Sequence, residues 1–254
     1  MIKQEANYAD RQAIPKVIHY CWFGKNVKPK LFWKCFQSWK KYCSDYEIIE
    51  WNEDDFDTNC CKYVREAYDA RKYAYVTDYA RLWIIFNYGG IYLDTDVELI
   101  RPLDDLLFNT AFFGLEDDKY INTGLGFGAE KGNNIVKVMM EAYYDDSFFN
   151  KDGSYNMVTC PVKNTESIAS YLPTVLSKEI TYIDNAAIYS PEYFFPLDSS
   201  GVNWTKTKNT YSIHWFSAPW LSEEETIIHN WRNFLGKSEK YGSFICSDSI
   251  SVAA

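Results

Sequence analysis

No stretch of this chain approaches the ~20 consecutive apolar residues that a membrane-spanning helix requires. The N-terminus, Met1-Ile2-Lys3-Gln4-Glu5-Ala6-Asn7, has no apolar leader core. The expectation is a cytoplasmic protein, in contact with the membrane only at its inner face if at all. The seven cysteines are odd in number and include no CxxC pair, which excludes a zinc ribbon and a closed disulfide set and fits reduced thiols. There is no Lys/Arg run, and the net charge of -9 argues against a broad nucleic-acid surface. Neither GxGxxG at a strand-helix junction nor GxxxxGK[ST] occurs, so two common backbone cradles for phosphate are missing. Internal repeats and low-complexity linkers are absent too.

What remains is the composition of a folded α/β domain. Hydrophobic residues make up 47% and charged residues 24% of 254, enough for one large core but not for two equal domains. Aromatics reach 18%; most must be core, and the rest offer flat faces on which bases and sugar rings stack. Lys16 to Trp22 reads as a buried first strand stopped at Gly24, and Tyr46 to Trp51 as a second. Between them Leu31, Phe32, Cys35, Phe36, Trp39 and Tyr42 recur at helical spacing after Pro29. Helices are expected over 61–72, 74–88, 133–144 and 164–176, and strands over 97–100, 111–115, 181–183 and 210–215. Ser222-Glu223-Glu224-Glu225 is a capping box opening a terminal helix to about Leu235.

The stretch that organises the chain is Tyr88-Gly89-Gly90-Ile91-Tyr92-Leu93-Asp94-Thr95-Asp96. A short apolar run after a Gly pair favours a buried strand, and it ends in two acids. In extended chain Asp94 and Asp96 leave on one face, about 6.5 to 7 Å apart at roughly 3.3 Å per residue. Two such carboxylates can hold Mg²⁺ or Mn²⁺ from one side and leave positions open for substrate phosphates. The carboxyl end of a strand is also where α/β sheets bind ligands.

Other candidates follow from position. Trp22 stands at the carboxyl end of the first strand, as a core anchor or as a platform for a base. Asp78 and Arg81, three apart on the helix that feeds the Asp pair, share a face and form either an ion pair or a substrate contact. Gly124, Gly126 and Gly128 alternate in an apolar run, which implies close approach of backbone to a ligand or a packed helix. The Tyr/Phe/Pro-rich segment 188–195 is placed near an acceptor groove. His214, on the last strand, is either a satisfied structural residue or a ligand.

Taken together, four pieces in order resemble glycosyltransferase family 32, the DXD-containing sugar transferases related to yeast α-mannosyltransferases and glucosylating clostridial toxins. They are Ile14-Pro15-Lys16-Val17-Ile18-His19-Tyr20-Cys21-Trp22-Phe23-Gly24, Asp78-Tyr79-Ala80-Arg81, the Asp94-Thr95-Asp96 stretch, and Ile121-Asn122-Thr123-Gly124. The likeness is greatest to bacterial members that assemble surface and capsular polysaccharide. It implies a GT-A fold, a Rossmann-like mixed central sheet flanked by helices over 14–220, with an extension at 1–13 and a terminal helix and tail at 221–254. It further implies a nucleotide-sugar donor, UDP-linked ahead of GDP-linked, a saccharide or lipid-linked glycan acceptor, and transfer with retention. By the same resemblance Asp96 is the principal metal ligand and Asp94 holds donor sugar or ribose together with the metal. Asp78 and Arg81 hold sugar hydroxyls, Tyr92 lies against the nucleotide, Trp22 stacks on the base, and Asn122 contributes to the donor site. Of the family's closing element, His214 and Trp220 match, whereas Trp215 and Pro219 replace a second His and a Ser. A His ligand leans the cofactor towards Mn²⁺ over Mg²⁺.

Two other classes compete. An apolar strand ending in Asp94-Thr95-Asp96-Val97 also looks like the first motif of haloacid-dehalogenase-type phosphatases, with Asp94 as nucleophile and Asp96 as acid, although no partner acid motif follows. A non-catalytic carbohydrate-binding module would account for the aromatics but leaves Asp78, Arg81 and the Asp pair unexplained.

Overall fold

The computed structural model describes residues 12–174, 176, 179–197 and 204–216. Seven strands form one mixed sheet in the order β2 (Glu47–Trp51), β1 (Val17–Cys21), β3 (Gly90–Tyr92), β6 (Phe127–Ala129), β5 (Ala111–Gly114), β8 (Ala186–Tyr189), β7 (Ile180–Ile183). β1 runs parallel to β2 and β3, and β5 parallel to β8, while β6 is antiparallel to both its neighbours. A separate two-stranded antiparallel ribbon joins β4 (Val97–Leu99) to β9 (Ser212–His214). This is the helix-flanked mixed sheet expected from the sequence.

Alternation along the strands divides the core between the two faces of the sheet. Ile91 and Phe112 pack with Phe32, Cys35 and Trp39 of α1 (Lys30–Tyr42). Their neighbours Tyr92 and Phe113 pack on the other face with Tyr63 of α2 (Lys62–Asp69), Val76 and Leu82 of α3 (Tyr73–Tyr88), and Met139 of α4 (Asn134–Glu141). Trp39 also donates from its indole nitrogen to the Val97 carbonyl at 2.8 Å, and Ser38 Oγ accepts from Leu99 N at 2.9 Å. The helix therefore pins the ribbon as well as covering the sheet.

At the end of α3, Gly89 and Gly90 take positive φ (70° and 102°), and a Cβ on Gly90 would lie 2.8 Å from the Val17 carbonyl oxygen. Only glycine lets β3 enter that close to β1. His19 locks the same corner. Its Nδ1 accepts from Trp51 Nε1 at 3.0 Å and its Nε2 lies 3.0 Å from the Gly89 carbonyl.

Three sequence expectations are corrected. The helix expected over 164–176 is α5 (Cys160–Ser167), which starts earlier because Pro161 suits a first turn, and it is followed by a separate 3-10 turn at Ala169–Tyr171. The extended chain expected through the Asp pair is a turn, closed by Val97 N donating to Asp94 O at 3.0 Å. The 188–195 segment lies in the core, not at a groove: β8 and α6 (Pro191–Phe194) bury Tyr189, Phe194 and Phe195 beside Tyr211. No helix among the described residues is long and apolar enough to cross a membrane. Most of the 1–13 extension, Trp220 and the expected terminal helix lie outside the described residues.

Candidate active site

The loop after β1, the middle of α3 and the turn after β3 converge on a cavity of about 620 Å³. Trp22, Asp78, Arg81, Tyr92, Asp94, Asp96, Asn122 and His214, all singled out in the sequence, line it together.

At its centre is a chain of charges. Arg81 is buried and its Nη2 lies 3.1 Å from Asp78 Oδ1 and 3.3 Å from Asp94 Oδ1, while its Nε donates to the Thr77 carbonyl at 3.1 Å. The guanidinium stands 5.0 Å over the Tyr92 ring, whose hydroxyl donates to Asp94 Oδ1 at 3.0 Å. The open alternatives for Asp78 and Arg81 are thus joined: they are an ion pair, and the pair faces the cavity. Burial pushes the Asp78 carboxyl up to about 6 although Arg81 pulls the other way. Burial likewise raises Asp94 against the pull of Arg81.

Asp96 and His214 close the far side. The ribbon register sets Val97 opposite His214, and His214 Nε2 lies 3.1 Å from Asp96 Oδ1. One ligand atom each from Asp94, Asp96 and His214 falls within 4.8 Å of the others. Donors that share a cation at about 2.1 Å lie at most about 4.2 Å apart, so the trio needs to contract by only about half an ångström. Both His214 ring nitrogens are buried; Nε2 is paired with the Asp96 carboxylate, whereas Nδ1 makes no hydrogen bond among the described residues. Two carboxylates and an imidazole gathered in this way are a donor set that fits a divalent ion. Burial works against charging His214, but Asp96, Asp94 and Glu116 together prevail and hold its pKa above the usual range. Four carboxylates, Asp78, Asp94, Asp96 and Glu116, line the cavity with the single permanent cation of Arg81, which leaves the site short of positive charge.

The first glycine of the alternating run has its cause here, while Gly126 and Gly128 are tight against Leu93 and Phe112. A Cβ on Gly124 would stand 2.6 Å from Asp94 Oδ2, 2.9 Å from Asn122 Oδ1 and 3.1 Å from Arg81 Nη1. Asn122 caps this turn by accepting from Gly124 N at 2.7 Å, and its Nδ2 donates to Glu116 Oε2 at 3.0 Å. Trp22 is half-buried on the loop, with Nε1 donating to the Asn26 carbonyl at 2.8 Å. Tyr92, only 1% exposed, lies beneath Asp94 and steadies it.

Sequence reasoning missed Glu116 and Cys160. Glu116 lines the cavity with its carboxyl raised by burial, and the signal available was an acid directly after the strand over 111–115. The buried Cys160 thiol reaches both Thr123 Oγ1 and Asn122 Oδ1, at 3.9 and 4.0 Å. Nothing near it in sequence marks it.

Comparison with known proteins agrees with this geometry. Residues 29–113 match the model for the glycosyltransferase sugar-binding region containing DXD motif. The chain is 35% identical over 108 residues to inositol phosphoceramide mannosyltransferase 3 of Schizosaccharomyces pombe, covering 39% of this chain and 29% of that protein. It is 33% identical over 109 residues to mannosyl phosphorylinositol ceramide synthase CSH1 of Saccharomyces cerevisiae, covering 40% and 28%. The matches thus span under a third of each relative's own length. Among solved structures, PaToxG Glycosyltransferase superposes with a TM-score of 0.49 at 18% identity, over 63% of this chain and 70% of that one. Asp78, Arg81, Tyr92, Asp94 and Asp96 all fall inside the matched region, so the stretch that is similar to the glycosyltransferase sugar-binding region containing DXD motif is the one that carries the charged centre of the cavity.

Proposed function

We propose that this chain is a divalent-metal-dependent glycosyltransferase that moves a sugar, with retention of configuration, from a nucleoside diphosphate donor to a saccharide or lipid-linked acceptor. The observation that carries this reading is the convergence of Asp94, Asp96 and His214 in one cavity with Trp22 and the Asp78–Arg81 pair. A UDP-sugar is the favoured donor. The mannosyltransferase names of the relatives favour a GDP-linked donor as the second reading.

In this reading Asp96, Asp94 and His214 hold Mn²⁺ or Mg²⁺. A bound ion supplies Lewis-acid stabilisation to the diphosphate leaving group. Trp22 stacks on the base, while Asp78 accepts from donor-sugar hydroxyls and Arg81 orients Asp78 and Asp94. The bond from the anomeric carbon to the phosphate oxygen breaks as the acceptor hydroxyl attacks the same face, and the departing phosphate takes its proton. Asp78 and Asp94 both turn oxygens towards Arg81, which favours this front-face course over a covalent carboxylate intermediate. The same ties count against Asp94 as a phosphatase nucleophile, and a simple binding module has no use for so many buried charges.

The test is the melting temperature with UDP, GDP or no nucleotide, each with Mn²⁺ or chelator. At about 100 times its dissociation constant a ligand adds about 2.7 kcal/mol of stability. A shift that needs both nucleotide and metal, and disappears in Asp96→Asn, supports the reading and names the base. A nucleotide shift indifferent to chelator would sink the metal-dependent donor site.

A further inference from the structure

Six lysines, Lys25, Lys28, Lys30, Lys34, Lys40 and Lys41, fall between Gly24 and Tyr42, a stretch with no Asp or Glu in a chain of net charge -9. They are spaced too widely to register as a run, but the fold gathers them. With Phe32, Cys35 and Trp39 turned inward, α1 exposes Lys30, Trp33, Lys34, Gln37, Lys40 and Lys41 as one stripe along its outer face. Lys28 and Lys34 are bridged to Glu50 and Glu98, each at 2.7 Å, and Lys25 approaches Asp54 at 3.4 Å. Lys30, Lys40 and Lys41 have no carboxylate partner among the described residues. Two apolar side chains stand out among these cations: Trp33, 52% exposed, and Val27, 93% exposed. Val27, with Asn26 and Pro29, is also part of the cavity rim.

We infer that the outer face of α1 with the 24–29 loop docks on an anionic lipid bilayer. Unpaired lysines near such a surface are attracted to its negative potential, while a Trp and a Val projecting between them enter the headgroup region. A soluble polyanion would answer the lysines and leave Trp33 and Val27 in water. The rest of the protein is acidic and is repelled by the same surface, so the patch also sets orientation. Because Asn26, Val27 and Pro29 belong to both the patch and the rim, docking brings the mouth of the cavity to the membrane surface. An acceptor held there by a lipid anchor would meet the site without leaving the bilayer.

The experiment is co-sedimentation of the full chain with vesicles of phosphatidylcholine, with and without phosphatidylglycerol, at low and high salt. The parent binds only the phosphatidylglycerol vesicles and is released by salt as charges are screened. The triple variant Lys30→Gln/Lys40→Gln/Lys41→Gln binds on the order of 100-fold more weakly, since each lysine is worth about 1 kcal/mol at such a surface. Trp33→Ser weakens binding at low salt with every lysine still in place, and Lys131→Gln/Lys151→Gln on other surfaces changes nothing. Unaltered melting temperatures certify that the variants fold. Absence of binding to anionic vesicles, or full binding by the triple variant, overturns the inference. So does lysine-dependent binding to heparin without binding to vesicles, which would reassign the face to acidic glycans. None of these readouts depends on nucleotide or metal, so the transferase reading stands or falls separately.

Discussion

Replacing Asp78 with Asn is expected to strengthen the metal-free fold at neutral pH while abolishing transfer. The Asp78 carboxyl is buried and raised from 3.8 to about 6. For an acid whose folded pKa exceeds its unfolded one, the native state binds the extra proton. Stability from this group is therefore fully present below about pH 4 and falls as pH rises through 6. A shift of about 2 units corresponds to roughly 3 kcal/mol lost at pH 7. Asn keeps the shape and removes the charge. The full gain is not expected, because Arg81 loses one of its two carboxylates; it keeps Asp94, at 3.3 Å from Nη2 and 3.4 Å from Nη1. A net gain of about 1 to 2 kcal/mol remains, worth roughly 2 to 4 °C in melting temperature per kcal/mol for a chain of this size. The assay is urea unfolding of parent and variant at pH 4 and pH 7, alongside nucleotide-sugar turnover. The gain should be large at pH 7 and vanish at pH 4. A variant less stable than the parent at pH 7, or a gain independent of pH, would refute the reasoning and make Asp78 a structural partner of Arg81.

Three further outcomes are expected. Gly124→Ala should lose about 1 to 3 kcal/mol to overpacking, and, because its methyl would displace Asp94, should also lose the Mn²⁺-dependent nucleotide shift; a normal shift would show that Asp94 can move away without harm. Cys61, whose thiol is brought down to about 7 chiefly by its hydrogen bond with Cys60, should be the first described cysteine alkylated by iodoacetamide near neutral pH, while Cys21, Cys35 and Cys43, pushed up to about 12 by burial, react last; peptide mapping by mass spectrometry decides it. His19, held down to about 4 by burial, stays neutral in the fold, so its stability is lost as pH drops from about 6.5 towards 4. Asp78 acts in the opposite sense over the same interval. Between pH 7 and pH 4 the Asp78→Asn variant should therefore lose more stability than the parent, the two meeting near pH 4, and parallel pH–stability curves from urea unfolding followed by circular dichroism would contradict both assignments.

Much of the centre was legible because it is local. Gly89-Gly90 marks the end of α3, the apolar run marks β3, and helical spacing puts Asp78 and Arg81 on one face. Those cues fix which side chains share a neighbourhood, and the cavity contains them. The turn at Asp94-Thr95-Asp96 was not legible, since β-favouring neighbours on both sides suggest continuous strand, and only the departure of β4 into a separate ribbon demands the reversal. Segment 188–195 misled through composition: Tyr, Phe and Pro suit a binding groove and a core corner equally, and packing against Tyr211 decides for the core. Helical spacing already sets Lys30, Lys34, Lys40 and Lys41 mostly opposite the apolar side of α1; what it could not show is that Trp33 and Val27 stand exposed among the lysines beside the cavity rim.

His214 shows most clearly what local pattern omits. It lies 118 residues beyond Asp96 in sequence, and Ser212-Ile213-His214 by itself leaves open whether the His is structural or a ligand. Its function is decided by register alone. Pairing of Val97 with His214 brings the imidazole beside Asp96, whereas a slip by one residue would turn it to the opposite face. That register is held from outside the ribbon, by Trp39 and Ser38 of α1 bonding Val97 and Leu99, and by Trp215 donating through its backbone N to the Asp96 carbonyl at 3.1 Å and through its indole to Glu98 at 2.9 Å. The inner face of α1 thus fixes β4, the strand against which His214 is registered, while its outer face carries the lysines.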